Sequence, residues 1–136
     1  MLEQNPDTVK IVFKNFPLNF HAQAQPAALA AIAAQNQGKF WQYHDLLYEN
    51  YKSLSPQSYE KFATEVGLDL ATFNRDRQSR QARERIATDI NIAKQANVHG
   101  TPAIFVNGHL VQNRNMQTIQ AMIDKELKNA APTRVK

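Results

Sequence analysis

The pattern of hydrophobic and polar positions changes period along the chain, and these changes predict the order of its elements. Residues 9–13, VKIVF, are β-branched or aromatic at most positions and lie between turn-prone segments, so they predict a strand. A second apolar run at residues 103–106 is followed by Asn107 and Gly108, which form a typical hairpin turn, and then by a predicted return strand at residues 109–112. The strands are therefore expected from two regions far apart in the sequence.

Between these regions, and after the hairpin, apolar residues recur at helical spacing. The expected helices are an alanine-rich helix over about residues 23–35, one following Gly38, one beginning at Ser55-Pro56, a short one capped by Asp69, one over residues 81–96, and one over residues 116–128. In the last helix Met116, Ile119, Ile123 and Leu127 are expected to be buried. Several helices between sheet strands favour an α/β domain that contains an inserted helical subdomain.

Composition limits the possible classes of protein. A length of 136 residues is suited to one domain with a core of its own. No apolar run approaches the roughly 18 residues that a membrane helix needs, so no membrane span is expected. No signal peptide is visible at the start of the sequence.

Several kinds of chemistry are also excluded or disfavoured. The chain has no cysteine, so it can form no disulfide, thiolate metal site or cysteine nucleophile of its own. The four histidines, at positions 21, 44, 99 and 109, lack metal-ligand spacing, so neither a metal site nor a cofactor is expected. Five arginines lie between residues 75 and 85, but no aromatic residues are interleaved with them. A solvated helix face with ion pairs such as Asp76 with Arg80 is therefore favoured over nucleic-acid binding.

Aromatic residues are concentrated in the second predicted helix. Tyr43, His44 and Asp45 are contiguous there, so their side chains cannot all converge on one point, and a structural role is expected for His44. The remaining aromatic cluster is interpreted as core with a polar rim and comprises Phe40, Trp41, Tyr48 and Tyr51. No catalytic residue is predicted.

Two motifs give the chain a family resemblance. GTPAIFVNG, which contains Thr101 and Pro102, precedes the last helix, and KNFPL is followed by the alanine-rich helix and by GKFW. Together they resemble the DsbA-like branch of the thioredoxin superfamily over nearly the whole chain. The resemblance implies one α/β domain with a truncated thioredoxin-like fold, in which residues 23–97 are a helical insertion and residues 8–14 and 101–129 are the thioredoxin-like remainder.

The resemblance also implies a site. In this family the proline of the motif is cis and faces the redox centre, and the backbone of the preceding residue pairs with an extended substrate. Those roles correspond to Pro102 and Thr101, with Gly100 beside them and His99 at the border of the groove. The local sequence alone leaves open a trans proline that begins an edge strand. Protein or peptide substrates and a periplasmic or otherwise exported location follow from the resemblance.

The chain departs from the family pattern at its start. The strand and Cys-x-x-Cys helix with which such proteins begin are absent, so the domain is expected to be incomplete at its N-terminus and inactive in redox chemistry by itself. Three interpretations remain: the peptide-docking part of a thiol-disulfide oxidoreductase, a non-catalytic binding or assembly module, and a glutathione-dependent isomerase. The absent strand would lie between residues 9–13 and residues 103–106, which predicts a homo-oligomer formed by strand pairing or exchange, or direct pairing of those two segments.

Overall fold

The computed structural model describes residues 1–130 and is mostly helical. Its regular elements are, in chain order, α1 (Ala24–Asn36), α2 (Phe40–Glu49), a short 3₁₀ helix (Tyr51–Ser53), α3 (Pro56–Glu65), α4 (Leu70–Arg77), α5 (Arg80–Gln95), β1 (Phe105–Val106), β2 (His109–Leu110) and α6 (Met116–Ala130). The predicted helices are all present, with ends within two residues of those expected. The described residues divide into two units, a helical unit of residues 14–99 and a strand unit of residues 1–13 and 100–130.

The helical unit is packed around α1. Five consecutive residues of this helix, 30–34, are buried, and four of them are alanines whose small side chains let neighbouring helices approach closely. The aromatic residues Tyr43, Tyr59 and Phe73 fill the space beside α1 and are fully buried. The Tyr43 hydroxyl donates a hydrogen bond of 3.0 Å to the backbone carbonyl of Tyr59. Burial raises the pKa of both tyrosines above the usual phenol value.

Side-chain caps fix where three of these helices begin. Ser55, Asp69 and Ser79 each accept a hydrogen bond from a backbone N–H in the first turn of α3, α4 and α5, respectively. Hydrogen bonding from Thr72, first by its side chain and then by its backbone, lowers the pKa of Asp69. The predicted starts at Ser55-Pro56 and Asp69 are therefore confirmed.

A buried carboxylate joins the first residues of the helical unit to α5. Asp89 is fully buried, and its Oδ2 accepts hydrogen bonds from the backbone N–H (2.9 Å) and the side-chain amide (2.8 Å) of Asn15. The Lys14 Nζ lies 3.5 Å and the Arg85 Nε lies 3.6 Å from the other carboxylate oxygen. Both cations are about half exposed, so they offset the buried charge while keeping contact with water.

The strand unit has a small core of its own beneath the hairpin. Val111, Ile119 and Ile123 are buried there, with Val9 and Ile104 packed against them. In the hairpin, Phe105 pairs with Leu110, and Val106 pairs with His109. Both turn residues have positive φ, 46° at Asn107 and 84° at Gly108, as a two-residue hairpin turn of type I′ requires.

The predicted strand at residues 9–13 is wrong. These residues form no strand in the structure, and Lys10, Ile11 and Val12 make no backbone hydrogen bond with any other residue of the range 1–130. A segment with strand propensity forms a strand only where a neighbouring strand supplies hydrogen-bond partners. Residues 9–13 have no such neighbour, because the sheet within residues 1–130 consists of β1 and β2 alone. Both Ile11 and Val12 are consequently exposed.

Other details of the prediction also need correction. The two hairpin strands are shorter than the expected residues 103–106 and 109–112. Met116 and Leu127 are exposed because the narrow core of the strand unit covers only the middle of α6. Trp41, Tyr48 and Tyr51 are exposed as well, so of the predicted aromatic cluster only the partly buried Phe40 packs against the core. Periodicity identified the helices correctly but overestimated how much of the region around α2 and of α6 is buried.

We predict that replacing Asp89 with alanine destabilises the protein. The substitution leaves two donors of Asn15 without their acceptor, and each unsatisfied buried donor costs about 1 to 3 kcal/mol. Urea unfolding should therefore show a loss of about 2 kcal/mol or more in the free energy of unfolding. The control is Thr88→Ala, an exposed neighbour on the same helix, which should change stability by no more than about 0.5 kcal/mol. Equal effects of the two substitutions would contradict the role given to Asp89.

Candidate functional site

The segment of Gly100, Thr101 and Pro102, here called the docking segment, begins the second part of the strand unit. The Thr101-Pro102 peptide bond is cis. Thr101 and Pro102 are exposed, and Gly100 is half-buried. The docking segment belongs to no helix or strand, and β1 begins three residues after it, at Phe105.

The backbone of the docking segment is largely unpaired. Within residues 1–130, the N–H and C=O groups of Gly100 and Thr101 have no hydrogen-bond partner. Pro102 is anchored, because its carbonyl accepts a hydrogen bond from the guanidinium of Arg114. Farther along, the Ile104 carbonyl accepts a hydrogen bond of 2.8 Å from the Val111 N–H. The segment is thus held at its C-terminal side and open at Thr101.

Thr101 and Pro102 offer groups that can form hydrogen bonds, but neither offers a side chain for acid–base chemistry. Neither Thr101 nor Pro102 has a side chain that titrates near neutral pH, and the free backbone groups at Thr101 include one donor and one acceptor. A free donor and a free acceptor on an exposed segment are what a strand-like peptide needs in order to form backbone hydrogen bonds with it. The geometry therefore fits binding of a polypeptide backbone.

The remaining candidates from the sequence are His99 and His44. His99 is exposed and is the last residue of the helical unit. His44 lies between aromatic rings of α2, with its ring centroid 5.3 Å from that of Trp41 and 4.5 Å from that of Tyr48, and its Nδ1 is 3.0 Å from the Asp45 carboxylate. Within the described range, no three histidine, aspartate or glutamate side chains are grouped so that they could hold a metal ion.

The sequence analysis missed two residues that organise these regions. Arg114 lies in the polar segment between β2 and α6, where no periodicity singles out one side chain, yet it binds the Pro102 carbonyl. Asp89 occupies an inward position of α5 that sequence patterning would assign to an apolar residue. A carboxylate at an otherwise apolar position is the signal that could have identified Asp89.

Comparison with known proteins establishes the family. A family model described as Thioredoxin matches residues 2–125. The chain belongs to the thioredoxin family. A solved thioredoxin-like oxidoreductase from Silicibacter pomeroyi has the same fold, with a TM-score of 0.71 and 28% sequence identity over 86% of this chain and 68% of that one. The expected thioredoxin-like fold is thereby confirmed.

Relatives of known sequence support the DsbA-like branch. The probable disulfide bond formation protein D of Bacillus anthracis is 31% identical over 132 residues, which cover 88% of this chain and 58% of that protein. The Na(+)/H(+) antiporter NhaA 3 of Salinispora tropica is 41% identical over 102 residues, which cover 74% of this chain and 16% of the antiporter. The chain thus spans about a sixth of one relative and somewhat over half of the other. No helix within residues 1–130 has the length and apolar character needed to cross a bilayer.

Proposed function

We propose that this thioredoxin-family chain binds extended polypeptides at its docking segment and that it is the peptide-docking part of a DsbA-like thiol-disulfide oxidoreductase. The observation that carries the proposal is the exposed backbone of Thr101, whose N–H and C=O have no partner within residues 1–130. Pairing of these groups with a substrate backbone requires no particular substrate sequence. His99, which precedes the segment, is included as a residue that borders the bound peptide.

The redox chemistry of such an oxidoreductase needs sulfur from outside these 136 residues. Thiol-disulfide exchange proceeds by attack of a thiolate on a disulfide, and the chain contains no cysteine. In this proposal the chain presents an extended substrate, and the reacting thiols belong to the substrate and to another polypeptide segment. An exported, oxidising compartment is part of the proposal because protein disulfides form and persist there, and the similarity to a disulfide bond formation protein supports it.

We expect the 136-residue chain to have no thiol-disulfide exchange activity by itself. Without a cysteine it cannot form the mixed disulfide through which exchange proceeds. The measurements are reduction of insulin by dithiothreitol and oxidation of a dithiol peptide, each with and without the purified chain. Equal rates in both cases are expected, and a rate above the buffer background would contradict the prediction.

Peptide binding at Thr101 can be tested by removing its N–H. We predict that Thr101→Pro weakens binding of a soluble, thiol-free ten-residue peptide about fivefold, because one net backbone hydrogen bond contributes about 1 kcal/mol. Thr101→Val, which keeps both backbone groups, should bind as the unaltered chain does. Amide shifts in a ¹⁵N NMR titration report binding, folding of each variant and the location of the peptide. Equal weakening by both substitutions would show that the side chain, rather than the backbone, is responsible.

We also propose that a second copy of the chain pairs with residues 10–12. The support is their unpaired backbone together with the exposed, β-branched Ile11 and Val12, a combination that favours addition of another strand. Strand exchange between copies would use the same groups. Water satisfies these groups in the separate chain, so pairing exchanges hydrogen bonds with water for hydrogen bonds between chains and removes apolar surface from water.

Light scattering at micromolar concentrations should therefore give a mass of two copies or more. Val12→Pro removes one N–H from the pairing edge and should shift the mass toward that of one copy. Val12→Thr keeps the backbone and the β-branched shape, so it should leave the mass unchanged. A folded single copy at these concentrations would contradict the proposed pairing, and it would leave the peptide-binding proposal intact because Thr101 is tested separately.

A further inference from the structure

An open groove of about 290 Å³ lies in the helical unit between the segment of residues 17–25 and α5. From α5 it is lined by Ile86, Ala87 and Ile90, which recur at helical spacing, and from the opposite side by Pro17 and Leu18. Ile86 is buried at the base of this stripe, Ile90 is half-buried and Ala87 is exposed. The groove therefore offers an apolar strip that remains accessible from solvent.

The charge at the groove comes from one arginine that lacks a carboxylate partner. Four of the five arginines between residues 75 and 85 lie beside carboxylates, in the pairs Arg75 with Asp76, Arg77 with Glu60, Arg80 with Glu84, and Arg85 with Asp89. The expected pair of Asp76 with Arg80 is thus replaced by two others. Arg83 has no carboxylate within 4.0 Å among residues 1–130, and it lines the groove.

Arg83 is held in place without being neutralised. Its Nη1 donates a hydrogen bond of 2.7 Å to the backbone carbonyl of Gln78, which leaves the other guanidinium donors for a ligand. His21, on the opposite side of the groove, is exposed and contacts Phe20, with ring centroids 4.5 Å apart and ring planes tilted by 52°. None of the lining residues is an aspartate or a glutamate. The complementary ligand therefore has an anionic group beside an apolar one.

We propose that this groove binds an acidic polypeptide segment in which a glutamate or aspartate lies next to an aliphatic residue. The carboxylate pairs with the Arg83 guanidinium, and the aliphatic side chain packs on Ala87 and Ile90. The lining amides of Asn19 and Gln25 are suited to the backbone of a bound peptide because each provides donors and an acceptor. The site belongs to the helical unit and is separate from the docking segment, so it does not depend on the function proposed above.

The test uses the full chain and two synthetic peptides, one of alternating glutamate and leucine and one of alternating lysine and leucine. In a ¹⁵N NMR titration, the glutamate peptide should shift the amides of Arg83, Ala87 and Ile90, and the lysine peptide should not. Arg83→Gln should raise the dissociation constant of the glutamate peptide about fivefold, as expected for loss of an exposed ion pair of favourable geometry. The same constant should rise with added salt because salt screens this pair.

Matched variants distinguish binding in the groove from effects of neighbouring residues. Arg80→Gln removes a neighbouring charge on the same helix that is already paired with Glu84, so it should leave binding unchanged within about twofold. Ala87→Phe occupies the apolar strip and should also weaken binding, whereas Thr88→Phe places the same ring at the adjacent exposed position and should not. Thr101→Pro should have no effect, which distinguishes failure here from failure of the docking segment.

Three results would overturn the proposal. The first is the absence of shifts in groove amides with the glutamate peptide, and the second is equal binding of the lysine peptide. The third is a concentration-dependent shift of the same amides without peptide that Arg83→Gln abolishes, since that would assign the groove to a second copy of this chain.

Discussion

The strand unit is governed by the rule that backbone N–H and C=O groups must find partners in protein or in water. In the hairpin β1 and β2 satisfy each other, and the Val111 N–H extends the pairing to Ile104. Residues 10–12 and Thr101 lack protein partners within residues 1–130, and they are exposed to water instead. Water satisfies such groups at little cost, so they persist in the fold and are available to another polypeptide chain. Residues 10–12 form no strand because no neighbouring strand pairs with their backbone, and the same unpaired backbone groups are available to another chain.

The helical unit obeys a different constraint, close packing around α1. Alanines allow α2, α3, α4 and α5 all to contact one helix, and the large rings of Tyr43, Tyr59 and Phe73 fill the remaining volume. This arrangement leaves the outer faces of the helices to charged and aromatic residues. Asp89 is the exception, because its charged carboxylate is buried and accepts hydrogen bonds from Asn15 at the start of the unit. Packing and one buried carboxylate together hold this unit.

An element could be predicted from the sequence where the interaction that forms it joins residues close together in the chain. Helix starts at Ser55 and Asp69 were predictable because a cap bonds to a backbone N–H three residues away. The hairpin turn was predictable because Asn107 and Gly108 tolerate positive φ. Residues 9–13 have the composition of a strand, but a strand also needs a neighbour, which composition cannot show.

In the candidate site, too, local features could be predicted from the sequence and tertiary contacts could not. The motif around Thr101 and Pro102 indicated which residues to consider, and the resemblance to DsbA-like proteins indicated their role. The anchoring of Pro102 by Arg114, twelve residues away, depends on tertiary structure and could not be read from the sequence. The difference between Arg83 and the arginines around it depends on which carboxylates the fold brings near each one. A run of arginines predicts a charged face, but it does not predict which arginine has no carboxylate partner and can bind a ligand.

The two proposed recognition surfaces select polypeptides on different physical grounds. Backbone groups at Thr101 pair with any chain whose own backbone is free, so they discriminate between unfolded and folded substrates rather than between sequences. A folded acidic protein has most of its backbone already paired and gains little at Thr101, whatever its charge. The Arg83 groove, in contrast, distinguishes sequences by charge and cannot by itself distinguish folded from unfolded chains. The docking segment therefore responds to whether a polypeptide is unfolded, and the Arg83 groove responds to whether it is acidic, each independently of the other.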